Sequence, residues 1–145
     1  MINIRKYSNK DFSEVFKIIK QEYGKEPYNE KWTRNNALKT LNHYSKVGKI
    51  YVAEIGKKVV GFLVLHKEFY NTGAQLDLKE IAVNSRFQGQ GVGKALIKKA
   101  EEFAIKNKIK QIYLTTHLDA PAYLFYVKHG FIPAKKTVFF RKELK

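Results

Sequence analysis

Three glycines, Gly89, Gly91 and Gly93, alternate in the stretch Arg86-Phe87-Gln88-Gly89-Gln90-Gly91-Val92-Gly93-Lys94-Ala95. Glycine lets main chain approach a ligand closely and adopt positive φ. The first N–H groups of a helix lack intrahelical acceptors, and the helix dipole is positive at that end. A glycine-rich turn feeding a helix is therefore a cradle for phosphate oxygens, built from main chain with Lys94 beside it. The dipole contributes only about 0.3–1 kcal/mol, up to ~2 when partly buried, so several donors must act together. Two familiar phosphate loops fail on spacing. A P-loop reading needs Gly at 88 and a hydroxyl at 95, where this chain has Gln88 and Ala95, so nothing there holds magnesium. A dinucleotide fingerprint needs two residues between its second and third glycines; here there is one. A turn made only for helix–strand packing would need one or two glycines, because each adds chain entropy that folding must remove.

The elements that must present this turn are legible from periodicity. Ile2 and Ile4 alternate with polar residues as a short strand, and Ser8-Asn9-Lys10-Asp11 fits a capping box. Phe12, Val15, Phe16, Ile19 and Tyr23 follow at helical spacing, and Gly24 ends that helix. Asn29 is the expected cap of a second helix with Trp32, Ala37, Leu41 and Tyr44 inward. Lys49 to Ile55 and Lys58 to His66 flank Gly56-Lys57 as a hairpin, and Asn71-Thr72-Gly73 turns into a strand over Leu76 to Val83. Its alternation slips one place at Glu80, as a β-bulge would cause. Val92, Leu96, Ala100 and Phe103 form the stripe of the helix after the glycines. A strand over Ile109 to Thr116 and a helix capped by Asp119, with Ala122, Phe125 and Tyr126 inward and Gly130 at its end, come next. Phe131 to Lys142 is rich in β-formers and broken by Pro133 and Lys135-Lys136 into two pieces. The expectation is a mixed α/β fold, an antiparallel meander feeding a strand–helix–strand unit, with about seven strands and about four helices.

Gln88-x-x-Gly91-x-Gly93, preceded by Ile81-Ala82-Val83 and followed by an amphipathic helix, resembles the acetyl-CoA signature of the GNAT superfamily of N-acetyltransferases. That signature is Arg or Gln, two variable residues, Gly, one variable residue, then Gly or Ala. Ala122 through Tyr126 to Gly130-Phe131 is similar to the family's later helix, where a Tyr precedes Gly-Phe by four and five residues. With the element order, the resemblance spans essentially the whole chain. It implies a mostly antiparallel sheet splayed between its fourth and fifth strands, with acetyl-CoA as cosubstrate in the opening. Main chain along Ile81, Ala82 and Val83 would pair with the pantetheine amides like an added strand. Gln88, Gly89, Gln90, Gly91, Val92, Gly93 and Lys94 would hold the pyrophosphate. The family often has Asn near the start of the later helix; the nearest match is Asp119, an acidic departure that helix capping also explains.

Amide formation from a thioester needs a neutral amine, a polarised carbonyl and a proton for the leaving thiolate. A lysine-like amine is neutral in about 1 of 2,500 molecules at pH 7, near 4.6 kcal/mol, against about 1–1.5 kcal/mol for an α-amine. Tyr126, by its place before Gly130-Phe131, is the candidate general acid, because a phenol keeps its proton at pH 7. Glu80, next to Ile81, is the candidate base if the bulge turns it inward; Asp77 and His117 are alternatives, as is water. Without cysteine there is no acetyl-thiol enzyme, and direct attack in a ternary complex is the simplest mechanism. Orientation contributes roughly 7–11 kcal/mol in favourable intramolecular cases. The family's layout places the acceptor, a small-molecule or peptide amine, near the first two helices and Phe69-Tyr70-Asn71. Glu22, Tyr23, Glu26, Tyr28 and Trp32 are an acidic and aromatic set there that suits a cation.

The chain has 145 residues, 44% of them hydrophobic and 14% aromatic, which argues against disorder and suits one domain over 1–145. It has no cysteine, so disulfide scaffolds and Cys-ligated metals are excluded, and no metal-binding spacing such as H-E-x-x-H is present. The longest apolar run, Val59 to Leu65, is far short of the ~20 residues that span a bilayer, and Met1 to Lys6 has no apolar signal core. A cytoplasmic protein, monomer or homodimer, is expected. Lys and Arg total 28 against 13 Asp and Glu, a net charge of +15 that attracts polyanions. Only Arg5, Arg34, Arg86 and Arg141 are arginines, and no helix-turn-helix or aromatic RNA-binding pattern accompanies them, so no nucleic-acid partner is expected. The alternatives are a basic nucleic-acid module and a CoA-binding sensor without catalysis.

Overall fold

A computed structural model describes residues 1–145. Its strands are β1 (Ile2–Lys6), β2 (Lys49–Ile55), β3 (Lys58–Tyr70), β4 (Gly73–Val83) and β5 (Ile112–Tyr113). Its helices are α1 (Phe12–Gly24), α2 (Arg34–Val47), α3 (Val92–Lys106) and α4 (Pro121–Lys128). The strands follow one another across the sheet in chain order; all pairs are antiparallel except β4–β5. No helix is long and apolar enough to cross a membrane.

Two apolar layers sandwich the sheet. On one face Val15, Ile18, Ile19, Ala37 and Leu41 of α1 and α2 pack on Val52, Phe62 and Val64. On the other, Val92, Leu96 and Ala100 of α3 and Tyr126 of α4 pack on Leu63, Leu65, Leu76 and Leu78. β3 lies mid-sheet and is covered on both faces, which is why Val59 to Leu65 is apolar throughout instead of alternating. The hairpin through Gly56-Lys57 and the turn at Asn71-Thr72 form as expected.

Ser8 and Asp11 make the reciprocal capping box before α1, Ser8 N–H donating to Asp11 Oδ2 at 2.8 Å. Arg5 adds a bidentate pair to the same carboxylate, 2.8 Å at each oxygen, and so ties β1 to α1. Asp11 is only 4% exposed, and the Arg5 hydrogen bonds hold its pKa below the ordinary carboxylate value against the effect of burial. The stability this contributes is present above the unfolded-state pKa and is lost as pH falls through the folded one. Asp11→Asn is expected to lower unfolding free energy by about 1–3 kcal/mol at pH 7. In denaturant melts the gap from the native chain should begin to narrow below the unfolded-state pKa, about 3.9, and close only as pH falls through the lower folded-state one.

Three sequence expectations are corrected. The second helix is capped by Thr33, whose side chain accepts from Asn36 N–H at 3.1 Å; Asn29 sits at φ 52 in the preceding turn. α4 is capped by Ala120 without a side-chain bond, not by Asp119. The sheet has five strands, not seven: β5 is reduced to Ile112–Tyr113 and the segment after Phe131 joins no ladder. Residues from Ile132 onward are exposed, and their β-forming side chains meet no neighbouring strand. β-propensity needs a paired, half-buried surface to take effect.

Candidate functional site

β4 and β5 touch only at Leu76–Ile112 and Asp77–Tyr113. From Leu78 to Val83, β4 pairs with β3 alone, so its other edge is open, as the splayed expectation required. Asn84 N–H donates to Val60 O at 2.8 Å. By the alternation of a strand, Ile81 and Val83 then turn their N–H and C=O away from β3 into the opening. The Gln88 amide already occupies one of these groups, donating to Val83 O at 2.9 Å.

The glycine-rich turn lies at the mouth of this opening. Gly89 and Gly91 have φ +76 and +89, a left-handed conformation that other residues resist. Gly91 is the N-cap of α3, and the first bond into the helix runs from Ala95 N–H to Gly91 O at 3.0 Å. From Gly89 through Lys94, no main-chain N–H has a main-chain acceptor. Gly93 serves by its size: an added Cβ would stand 3.0 Å from the Phe125 ring of α4. Val92 is 1% exposed, so its side chain belongs to the core and only its N–H faces the turn. Gln90 donates to Arg86 O at 3.3 Å, and the Lys94 side chain is exposed. A cavity of about 270 Å³ joins Gln88, Gly89 and Gly93 to Ile81, Ala82 and Val83 and ends against Phe125 and Tyr126.

Beyond that end the cleft opens into a second cavity of about 400 Å³, sharing Tyr23, Tyr28, Ile81 and Tyr126 with the first. Glu80 lines it. The ladder passes from Val64–Glu80 to Leu65–Leu78, so Lys79 is the extra residue of a bulge, one place before the slip expected from the pattern. The bulge aims Glu80 under α1 and α2. There Tyr23 Oη donates to its Oε2 at 2.7 Å and Tyr44 Oη to its Oε1 at 3.2 Å. Burial raises the Glu80 pKa above the ordinary carboxylate value, although both tyrosine bonds pull it down. Tyr126 packs edge-on between Phe125 at 5.5 Å and Phe131 at 5.6 Å, and burial, then Tyr28 and Glu80, push its phenol pKa up. A carboxylate able to take a proton and a phenol that keeps its own thus share one cavity.

Other expected site residues lie elsewhere. Asp119 is exposed in the turn before α4 and lines neither cavity. His117 lines the second cavity, but its Nδ1 accepts from Asp119 N–H at 3.1 Å. Asp77 is paired with Lys79 at 2.8 Å. Phe69 and Tyr70 sit exposed at the β3–β4 hairpin tip, and Glu26 and Trp32 are not in the cavity walls. Glu22, expected beside the acceptor, instead lines the first cavity and accepts from Gln88 Nε2 and Lys25 Nζ, each at 2.8 Å. A depression of about 980 Å³ lies beside α1 and is lined almost wholly by charged and polar residues. Arg5, Lys17 and Lys25 there are paired with carboxylates, whereas Lys10, Lys57, Lys58 and Arg86 in its lining form no ion pair. Sequence periodicity gives Tyr44 only as an inward helix residue; a phenol on an apolar stripe needs a hydrogen-bond partner, and that is the available clue.

An open β4 edge, a row of unpaired N–H groups at a helix start, and a carboxyl and a phenol beyond them thus line one continuous cleft. The model of the acetyltransferase (GNAT) family matches residues 10–131, and the chain belongs to that family. It is 32% identical over 95 residues to N-acetyltransferase 8F1 of Rattus norvegicus; the match covers 63% of this chain and 43% of that protein, so this chain spans less than half of the curated relative. Solved structures share the fold. A possible acetyltransferase from Clostridium difficile 630 superposes with a TM-score of 0.84 at 16% identity, covering 100% of this chain and 99% of the other. An aminoglycoside acetyltransferase from an uncultured soil metagenomic sample gives 0.75 at 19%, covering 99% and 97%. A transcriptional regulator from Bacillus halodurans C-125 gives 0.80 at 20%, covering 98% and 100%.

Proposed function

We propose that this acetyltransferase moves an acetyl group from acetyl-CoA to a primary amine by direct attack while both are bound. The observation that carries the reading is the unbroken row of free N–H groups from Gly89 through Lys94, continuous with the open edge of β4. A diphosphate suits that row, since each oxygen finds a donor and the α3 dipole adds to it. The outward main chain at Ile81 and Val83 suits the amides of a pantetheine arm, once the Gln88 side chain yields Val83 O. Acetyl-CoA supplies an acyl group activated as a thioester. Glu80 takes the proton of the incoming ammonium, directly or through water, and Tyr126 gives its own to the departing thiolate. The first cavity then belongs to the cosubstrate and the second to the amine.

The direct test is thiol release from acetyl-CoA in the presence of a panel of amines and peptides. Gly91→Glu should separate binding from chemistry. It forces a side chain to φ +89 and puts a carboxylate among the phosphate donors. Calorimetry is expected to show acetyl-CoA affinity down by at least about tenfold. Unchanged affinity in a variant that circular dichroism shows to be folded would contradict the cradle.

A further inference from the structure

The second cavity holds a feature that acetyl transfer alone does not require. Besides Glu80 it is lined by Glu30, a second carboxylate. Glu30 is fixed in place: its N–H donates to Tyr23 O at 2.8 Å, and its Oε1 accepts from Trp32 Nε1 at 2.8 Å. That leaves Oε2 free. The two carboxylates sense each other, since Glu30 helps hold the Glu80 carboxyl above its ordinary pKa. Aromatic rings make part of the remaining wall, beside Thr115, Thr116 and His117: Tyr23 and Tyr28 meet edge to face at 6.0 Å, and Phe139 faces the cavity from the C-terminal segment. Cations favour such faces. The lining's one lysine, Lys79, is neutralised by Asp77 at 2.8 Å. An acceptor bearing a carboxylate would therefore meet no free lysine or arginine, only the His117 ring, whereas a second ammonium would meet Glu30. This acidic, aromatic cavity stands out on a chain of net charge +15, so selection for cations must be local to it.

We infer that Glu30 is a specificity-determining residue that selects acceptors carrying a second cationic group a few bonds beyond the reactive amine. The inference rests on the transfer reading above, because it assigns this cavity to the acceptor. One end of the acceptor places its ammonium at Glu80 for deprotonation, and the far cation lies against Glu30 and the tyrosine rings. Three four-carbon amines of nearly equal size differ only at the far end: 1,4-diaminobutane, butylamine and 4-aminobutanoate. All are small enough for a cavity of about 400 Å³.

The test measures kcat/KM for the three amines with acetyl-CoA and, separately, their binding to the protein by ligand-observed NMR. The diamine is expected to exceed butylamine by about fivefold, the scale of one partly exposed ion pair, with 4-aminobutanoate weakest. In Glu30→Gln the diamine-to-butylamine ratio should fall toward one, and in Glu30→Lys the preference should pass to 4-aminobutanoate. Equal ranking of the three, or an unchanged ratio in both variants, overturns the inference. The NMR arm ranks them even if none is acetylated, so it decides on its own. Failure of the protein to bind acetyl-CoA would instead strike the transfer reading, which keeps the two failures apart.

Discussion

Tyr126→Phe is expected to lower kcat by about a hundredfold while changing acetyl-CoA affinity little. The reason lies in what the substitution removes. Tyr126 is 9% exposed, and its ring is held by Phe125 and Phe131 on either side. Its pKa is raised by burial and by nearby Tyr28 and Glu80, with no hydrogen bond to the hydroxyl among the causes. Phenylalanine keeps the ring and its packing and deletes only the proton donor, so a fall in kcat reports chemistry and not collapse of the site. The raised pKa keeps the phenol protonated across the physiological range, which suits an acid. A thiolate of pKa near 8.5 is a fair leaving group unaided, so the loss belongs at the lower end of general-acid effects. Stopped-flow or steady-state thiol release checks it, with calorimetry for the cosubstrate. Wild-type turnover in the variant removes Tyr126 from the reaction.

The parts of this site that could be read in the chain are those fixed by local chemistry. Gly89 and Gly91 need positive φ, and their spacing before an apolar stripe announces a helix start. The Glu80 slip is visible because β4 alternates on both sides of it. A second irregularity, between Ala53 and Glu54 where β2 meets β3, left no trace. Its partner segment, Val59-Val60-Gly61, lies in an unbroken apolar run where no alternation exists to slip. Thr33 and Asn29 are both good cap residues; the choice depends on the turn that returns Glu30 N–H to Tyr23 O, a contact that cap chemistry does not encode. The link from Glu22 to Gln88 spans 66 positions, and those from Tyr23 and Tyr44 to Glu80 span 57 and 36. Such pairs arise from how α1 and α2 settle on the sheet, and no local pattern marks them. The segment after Phe131 likewise carries β-forming residues but no local pattern that supplies a pairing partner.

Glu80→Gln should show the deepest dependence on pH. At pH 7 the expected loss in kcat/KM for a lysine-like amine is about a hundredfold. At that pH only about 1 amine in 2,500 is neutral, whereas at pH 9.4 about one in eleven is. The advantage of a base should therefore shrink as pH rises, and the two profiles should converge near pH 10. An α-amine, already partly neutral at pH 7, should lose less. Folding provides the control. Because burial raises the folded pKa of Glu80, its contribution to stability is fullest below the unfolded-state pKa and declines as pH rises through the folded one. Above the folded-state pKa the charged, buried carboxylate thus opposes folding, so the uncharged isostere is not expected to lower Tm there. A rate deficit with an undiminished Tm is what a proton acceptor predicts; a mere clamp for Tyr23 and Tyr44 would lose both together. A wild-type to variant ratio that stays constant from pH 7 to 10 would move the base to His117 or to water, and Glu80 would be left holding the two tyrosines in place.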